Sequence, residues 1–200
     1  MDDGLPEGAH RGLTHPTDAL ATPPDRFSVR FETTEGPVVV DVRSAWAPRG
    51  AMRFYNLVEI GFFEDAAFFR TVDGFMAQFG IHAYPEVSKA WENQEILDDP
   101  VKASNRRGRL TFAMSGPDTR STQLFFNTVN NPHLDELGFT PIGEVVEGLE
   151  VIDALYSGYG EPAPHGSGPS PGVLHRAGNP YLRKNFPELD YIHGASVIPE

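Results

Sequence analysis

"FFRTVDGFMAQFG", Phe68–Gly80, sets one arginine and one glutamine among four phenylalanines and a methionine, with Asp73-Gly74 between them. A segment made only to fill a core has no use for a guanidinium and a carboxamide, and one made only for the surface would not carry so many aromatics. In a strand, residues two apart share a face, so Phe68, Arg70 and Val72 point one way, and Met76 shares a face with Gln78. A second stretch, "LTFAMSGPDTRSTQLFF" (Leu110–Phe126), repeats the combination, with Gln123 and Phe125 on one face. If the two stretches lie near each other, they bring a guanidinium and two amides to the edge of a small apolar pocket.

The rest of the chain limits what such a pocket can serve. Two hundred residues suffice for one domain with a sizeable core, and 40% hydrophobic residues is ordinary for a globular protein. Net charge is −12 and the pI is near 4.9, which argues against nucleic acid or an anionic membrane as partner, since both require a basic face. No apolar run approaches the roughly 18 residues of a membrane span. With no cysteine, disulfides, thiolate catalysis and zinc–thiolate sites are excluded. The N-terminal stretch lacks the basic-then-apolar layout of a signal peptide, so no compartment is assigned.

Residues 1–25 are rich in turn-formers and lack a hydrophobic period, which predicts a disordered leader before one domain at 26–200. "RFSVRFETTEGPVVVDV" predicts an opening hairpin: Phe27, Val29 and Phe31 alternate with polar residues, and Glu35-Gly36 makes the turn. "APRGAMRFYNLVEIG" predicts a helix with Pro48 in its first turn, an apolar stripe of Met52, Tyr55, Leu57 and Val58, and Gly61 just past its end. Strands follow around Arg70, Gln78, Leu110 and Phe125, with a looser segment around Trp91. Tyr84 and Trp91 are read as packing residues. Another strand contains Pro141, which points to an edge or a bulge. A short second helix ends near Gly158, a Gly/Pro-rich loop covers 158–180, and a closing strand lies at about 190–198. Many short strands with two good helices predict an antiparallel barrel or sandwich with helices over its ends.

Several chemistries lack local support. The seven histidines (10, 15, 82, 133, 165, 175 and 193) show no HxH or HExxH spacing, so no metal site is expected. Ser115 and Ser167 stand near glycines but in no GxSxG elbow, and no P-loop or GxGxxG connects a strand to a helix.

The two stretches resemble the paired motifs of the cyclophilins. "FFRTVDGFMAQFG" is similar to F-x-R-x-x-x-G-F-M-x-Q-x-G, and "SGPDTRSTQLFF" to small-G-P-x-T-x-x-[ST]-Q-F-F. "LDELGFTPIGEVVEGLEVID" follows where the family has its L-D, G-x-V and E-G-x-x-V-[VI]-[DE] elements, so the similarity runs from about Phe27 to Leu155 with a closing strand beyond. The resemblance implies a mainly β fold, a closed eight-stranded antiparallel barrel capped by two α-helices. It implies cis–trans isomerisation of the peptide bond before proline in proline-containing polypeptides, assisting folding, with no cofactor and no metal. Arg70 matches the catalytic arginine. Phe75, Met76, Phe125 and Leu134 match the proline pocket, and Gln78 and Gln123 its polar wall. Ala113, Met114 and Ser115 match the strand that holds the substrate backbone, with Met114 acting through its main chain. The alternative on the same fold is a non-catalytic module that binds proline-containing segments as a chaperone.

Some positions depart from the pattern. Phe69 stands where many cyclophilins have histidine, and Phe79-Gly80-Ile81 replaces the common G-G-D. His133 replaces the tryptophan of cyclosporin-sensitive members, which implies weakened cyclosporin binding, and Phe139 matches a pocket histidine. These substitutions, the Gly/Pro loop and the "GNPYLRKNFPELDYI" tail resemble bacterial-type cyclophilins, expected here as a monomer with no nucleic-acid or membrane partner.

Overall fold

The computed structural model describes residues 5–199. The opening hairpin forms as expected: β1 (Arg26–Thr33) and β2 (Gly36–Arg43) pair antiparallel from Arg26↔Arg43 to Thr33↔Gly36. Phe27, Val29, Phe31 and Thr33 are buried, at alternate positions of β1. The remaining strands are β3 (Ala66–Ala67), β4 (Arg70–Val72), β5 (Met76–Phe79), β6 (Arg109–Phe112), β7 (Leu124–Asn127), β8 (Pro141–Glu147) and β9 (Tyr191–Val197). They form one sheet in the order β3-β9-β1-β2-β8-β6-β7-β5-β4, with every pairing antiparallel.

The two ends of that order, β3 and β4, are separated in the chain only by Phe68 and Phe69. The sheet therefore curls back on itself. Counting β3 and β4 as one interrupted strand gives the eight expected, and counting them apart gives nine. Phe31, Phe63, Phe68, Phe79 and Phe126 meet inside the curl, with Phe79 and Phe126 stacked at 5.5 Å. Aromatic pairs add to the area they bury, so this cluster ties β1, β5 and β7 together. Pro141 starts β8 in mid-sheet, and the pairing with β6 shifts register beside it, so the bulge reading holds and the edge reading does not.

Helix α1 (Pro48–Glu59) begins at Pro48 as expected, and Gly61 follows its end with φ +73°. Its buried face is Ala51, Phe54, Leu57 and Val58, whereas Met52, expected in the apolar stripe, is exposed. The flanking Ala47 offers no side-chain cap. Asp99 supplies one from a distant loop, accepting from the Arg49 and Gly50 amides at 3.2 and 2.9 Å. Asp99 also accepts from the fully buried Arg120 guanidinium at 3.1 Å.

The expected looser segment around Trp91 contains helix α2 (Pro85–Trp91), and Trp91 is buried. Helix α3 (His133–Glu136) and helix α4 (Leu149–Ala154) follow, α4 at the place of the expected second helix. The expected Gly/Pro loop at 158–180 includes α5 (Pro171–Ala177) and leads into α6 (Asn179–Asn185). Ser170 caps α5 by accepting from the Val173 amide, and Pro171 starts it. Leu174 and Leu182 then bury against Phe69, Ile81 and Leu189. Two capping helices were expected, and these short ones add to them.

The disordered leader expected at 1–25 is corrected for residues 5–25, while residues 1–4 lie outside the described residues. Two single-turn helices form there, Arg11–Leu13 and Pro16–Asp18, and the first packs on the core through Leu13. Leu13 is buried, Trp91 Nε1 donates to the Gly12 and Leu13 carbonyls, and the Asn56 amide pairs with both backbone groups of Ala21. The leader has no core of its own, but it satisfies buried polar groups on α1 and α2. Among the described residues, no helix is long and apolar enough to cross a membrane.

Candidate active site

The β4–β5 hairpin sets Arg70 opposite Gln78 and Val72 opposite Met76. Strand β5 then pairs with β7, which places Gln78 against Phe125. Gly80, just past β5, has φ +103°, and a Cβ there would stand 2.3 Å from the Thr122 carbonyl oxygen. Only glycine allows the β5 and β7 backbones to approach at that point, and Gln123 follows directly. Arg70, Gln78 and Gln123 are thereby brought to one place although 53 residues separate Arg70 from Gln123 in number.

The three side chains form a hydrogen-bonded row. Arg70 Nη1 donates to Gln78 Oε1 at 2.8 Å, and Gln78 Nε2 donates to Gln123 Oε1 at 2.9 Å. The row ends at His175 on α5, 3.5 Å from Gln123 Nε2. Burial lowers the pKa of His175, which favours the neutral ring that can accept there.

Beside the row, Met76, Phe125 and Leu134 form a separate buried cluster edged by Val72, Phe75, Ala113 and Phe139. Phe139 meets Phe125 edge-on at 5.9 Å, and His133 stacks on Phe75 at 6.2 Å on the rim. Buried amides hold these walls. Asn131 Nδ2 donates to the Phe75 carbonyl and to Asn127 Oδ1, both at 2.9 Å. Asn105 Nδ2 donates to the Phe139 carbonyl and to Asp135, both at 2.8 Å. Burial alone would raise the Asp135 pKa, but hydrogen bonds from Ser104 and Asn105 outweigh it and hold the carboxyl below its usual range.

Strand β6 ends at Phe112, and Ala113 still donates to the Gln123 carbonyl at 2.9 Å. Among the described residues, the main-chain N–H and C=O of Met114 have no hydrogen-bond partner, which leaves them open to an extended peptide. Ser115 is exposed and its amide is taken by Thr119 Oγ1. Ala113, Met114, Ser115, Gln78 and Gln123 line a cavity of about 220 Å³ with Thr119 and Ser121, two residues the sequence reading missed.

The sequence model described as "Cyclophilin type peptidyl-prolyl cis-trans isomerase/CLD" matches residues 28–167. The chain belongs to the cyclophilin family. Peptidyl-prolyl cis-trans isomerase CYP18-1 of Arabidopsis thaliana is 32% identical over 132 residues, 64% of this chain and 82% of that protein. The human peptidyl-prolyl cis-trans isomerase-like 3 is 29% identical over 133 residues, 64% of this chain and 81% of that one. A Cryptosporidium parvum cyclophilin type peptidyl-prolyl cis-trans isomerase shares the fold at a TM-score of 0.65 and 18% identity, covering 88% of this chain and 99% of its own.

Within this cyclophilin, Phe69 turns away from the pocket into the cluster with Leu174, Leu182 and Leu189. The hydrophobic residue beside Arg70 thus seats the C-terminal helices. From the same region comes the largest omission of the sequence reading. Glu161 meets Arg70 in a bidentate pair, Nε to Oε2 at 2.7 Å and Nη2 to Oε1 at 2.8 Å. No local pattern marks a glutamate in a Gly/Pro stretch 91 residues away as a neighbour of Arg70.

Proposed function

We propose that this cyclophilin rotates X-Pro peptide bonds at the groove beside Arg70, with Arg70 the catalytic residue. The observation that carries the reading is that the guanidinium is held by Gln78, whose cross-strand partner is Phe125 of the Met76, Phe125 and Leu134 cluster. Amide rotation is slow because resonance gives the C–N bond double-bond character, a barrier of about 18–20 kcal/mol. For X-Pro the two isomers lie close in energy, yet uncatalysed exchange takes roughly tens to hundreds of seconds. At the twisted midpoint the proline nitrogen becomes pyramidal and gains a lone pair. A guanidinium N–H aimed at that nitrogen binds the twisted state better than the planar one, which is the condition for catalysis.

Phe75, Met76, Phe125, Leu134 and Phe139 grip the ring, and the open main chain of Met114, between Ala113 and Ser115, holds the preceding residues while the acyl side turns. Gln78 keeps Arg70 aimed, and Gln123 keeps Gln78 from flipping. A turnover of ~10³ per second corresponds to a barrier of about 13 kcal/mol, so the site must lower it by roughly 6. A charge-assisted hydrogen bond made only at the midpoint supplies about 1.5–3 kcal/mol of this, and holding the ring in place while the acyl side turns must supply the rest.

We infer further that the activity assists folding at exposed X-Pro bonds and that the lineage is bacterial-type, the latter supported by the 158–180 segment and the tail. His133 on the rim, where a tryptophan would donate an indole N–H, supports weakened cyclosporin binding. The barrel is read as one unit acting as a monomer.

Exchange spectroscopy on a short X-Pro peptide, wild type against Arg70→Ala, tests the proposal. Fast exchange, reduced at least about 10²-fold in the variant with peptide binding kept, is expected. No catalysis by folded wild type, with peptide binding intact, would leave a proline-binding module, and fast exchange kept in Arg70→Ala would place catalysis elsewhere than Arg70.

A further inference from the structure

The bidentate pair between Glu161 and Arg70 is not accounted for by the pocket. It spans the border between the barrel and the C-terminal segment, and the loop that delivers it is built around the glutamate. Gly168 N donates to the Glu161 carbonyl at 2.9 Å, Ser167 N to the Tyr159 carbonyl at 3.1 Å, and Gly160 N to the Ser157 carbonyl at 3.0 Å. A Cβ on Gly166 would stand 2.2 Å from the Glu161 carbonyl oxygen and 2.8 Å from its nitrogen, so the loop closes on Glu161 only with glycine there. Tyr159 anchors the base, edge-on to Tyr156 at 5.1 Å and to Phe186 at 5.2 Å. Phe69, the residue before Arg70, packs against Leu174 and Leu182 of the same segment.

The donor count decides what the contact does. A guanidinium has five N–H bonds in a fixed plane. Glu161 takes the Nε–H and one on Nη2, and Gln78 takes one on Nη1. One N–H on each terminal nitrogen is left over. The carboxylate therefore holds the side edge of the guanidinium and leaves the terminal nitrogens able to donate. Arg70 keeps part of its surface open to solvent, with 28% of its side chain exposed.

We propose that Glu161 is a positioning residue for the isomerase reaction: it clamps Arg70 from the side opposite Gln78, so that the guanidinium is already aimed before the proline arrives. The inference rests on the reading of Arg70 as the catalytic residue. An arginine held on two edges has lost its rotational freedom before binding, so none is lost at the transition state. The clamp acts on a group that matters most at the midpoint of rotation, so its removal lowers kcat and leaves KM nearly unchanged.

Glu161→Gln keeps the shape but replaces one acceptor oxygen with a donor that opposes an arginine N–H. Peptide exchange kinetics are measured for wild type, Glu161→Gln, Glu161→Ala, Glu161→Asp and Arg70→Ala, and the Arg70 Nε–H signal in ¹⁵N NMR for wild type and the three Glu161 variants. Expected are a kcat lower by about tenfold in Glu161→Gln and Glu161→Ala with KM within about twofold, partial recovery in Glu161→Asp, and an Arg70 Nε–H signal that shifts and loses order, at unchanged melting temperature. Unchanged kcat in both Glu161→Gln and Glu161→Ala, with Arg70→Ala inactive, would overturn the positioning role alone. A higher kcat/KM in Glu161→Ala would make the contact a block and also overturn it. Full activity in Arg70→Ala would remove the reading beneath both.

Discussion

Arg70 is held by two acceptors of different kinds, a neutral amide on β5 and a carboxylate on a loop. Lysine at this position keeps the charge but replaces a planar fork with a single ammonium, which cannot span both acceptors. Arg70→Lys is therefore expected to lose about 10²-fold in kcat while folding normally, and the exchange assay reads it directly. The Arg70 hydrogen bonds, ahead of its charge, hold the Glu161 carboxyl below the ordinary glutamate range. A lowered folded pKa means that the clamp is complete above that range and is lost only as pH falls through the lowered value. The kcat profile should show no inflection from Glu161 between pH 5 and 8, roughly the range in which stability is usually greatest. At this scale Arg70, Gln78 and Gln123 were legible because strand alternation and motif spacing bring them together. Glu161 was not, because nothing local encodes a contact made across the whole chain. Phe69 was legible as a departure but not as the seat of α5 and α6, since its partner Leu174 lies in the 158–180 segment read as loop and Leu182 just beyond it.

Among the elements, the hairpins and α1 follow from hydrophobic period and turn residues, and there the sequence reading needed little change. Elements whose stability comes from distant residues carry no such local signal. Helix α1 takes its cap from Asp99, and the Gly12–Leu13 turn takes its place from Trp91. Asp99→Ala removes the acceptor for two amides and the partner of a buried guanidinium. The expected cost is about 3–5 kcal/mol, read by urea unfolding. The pocket walls depend in a similar way on Asn105, whose amide joins Thr111, Asp135 and the Phe139 carbonyl. Asn105→Ala leaves several buried groups unpaired, and a loss of about 2–3 kcal/mol is expected, with a raised KM as Phe139 drifts. A KM unchanged at that loss of stability would separate the network from the pocket.

For the molecule as a whole, acid sensitivity should centre on His82. It is buried beside Phe62, its Nδ1 accepts from the Tyr84 amide at 3.0 Å, and burial lowers its pKa from 6.5 to about 4. The folded state takes up its proton later than the unfolded chain does. Stability should therefore fall as pH drops from 6.5 towards 4, by about 3 kcal/mol in all. Urea unfolding across that range, compared with His82→Asn, isolates the contribution; an equal slope in both proteins would assign the acid loss to other groups.

The barrel's closure has a consequence for synthesis. Strand β9 lies between β1 and β3. On a ribosome adding roughly 5–20 residues per second, β1 and β3 emerge roughly 6–26 seconds or more before the strand that joins them is complete. Through that interval the nascent hairpin shows a bare edge, ready to pair with any neighbouring strand. The N-terminal half of this cyclophilin should therefore be the part that a chaperone on the ribosome must shield, and release should follow emergence of Tyr191–Val197.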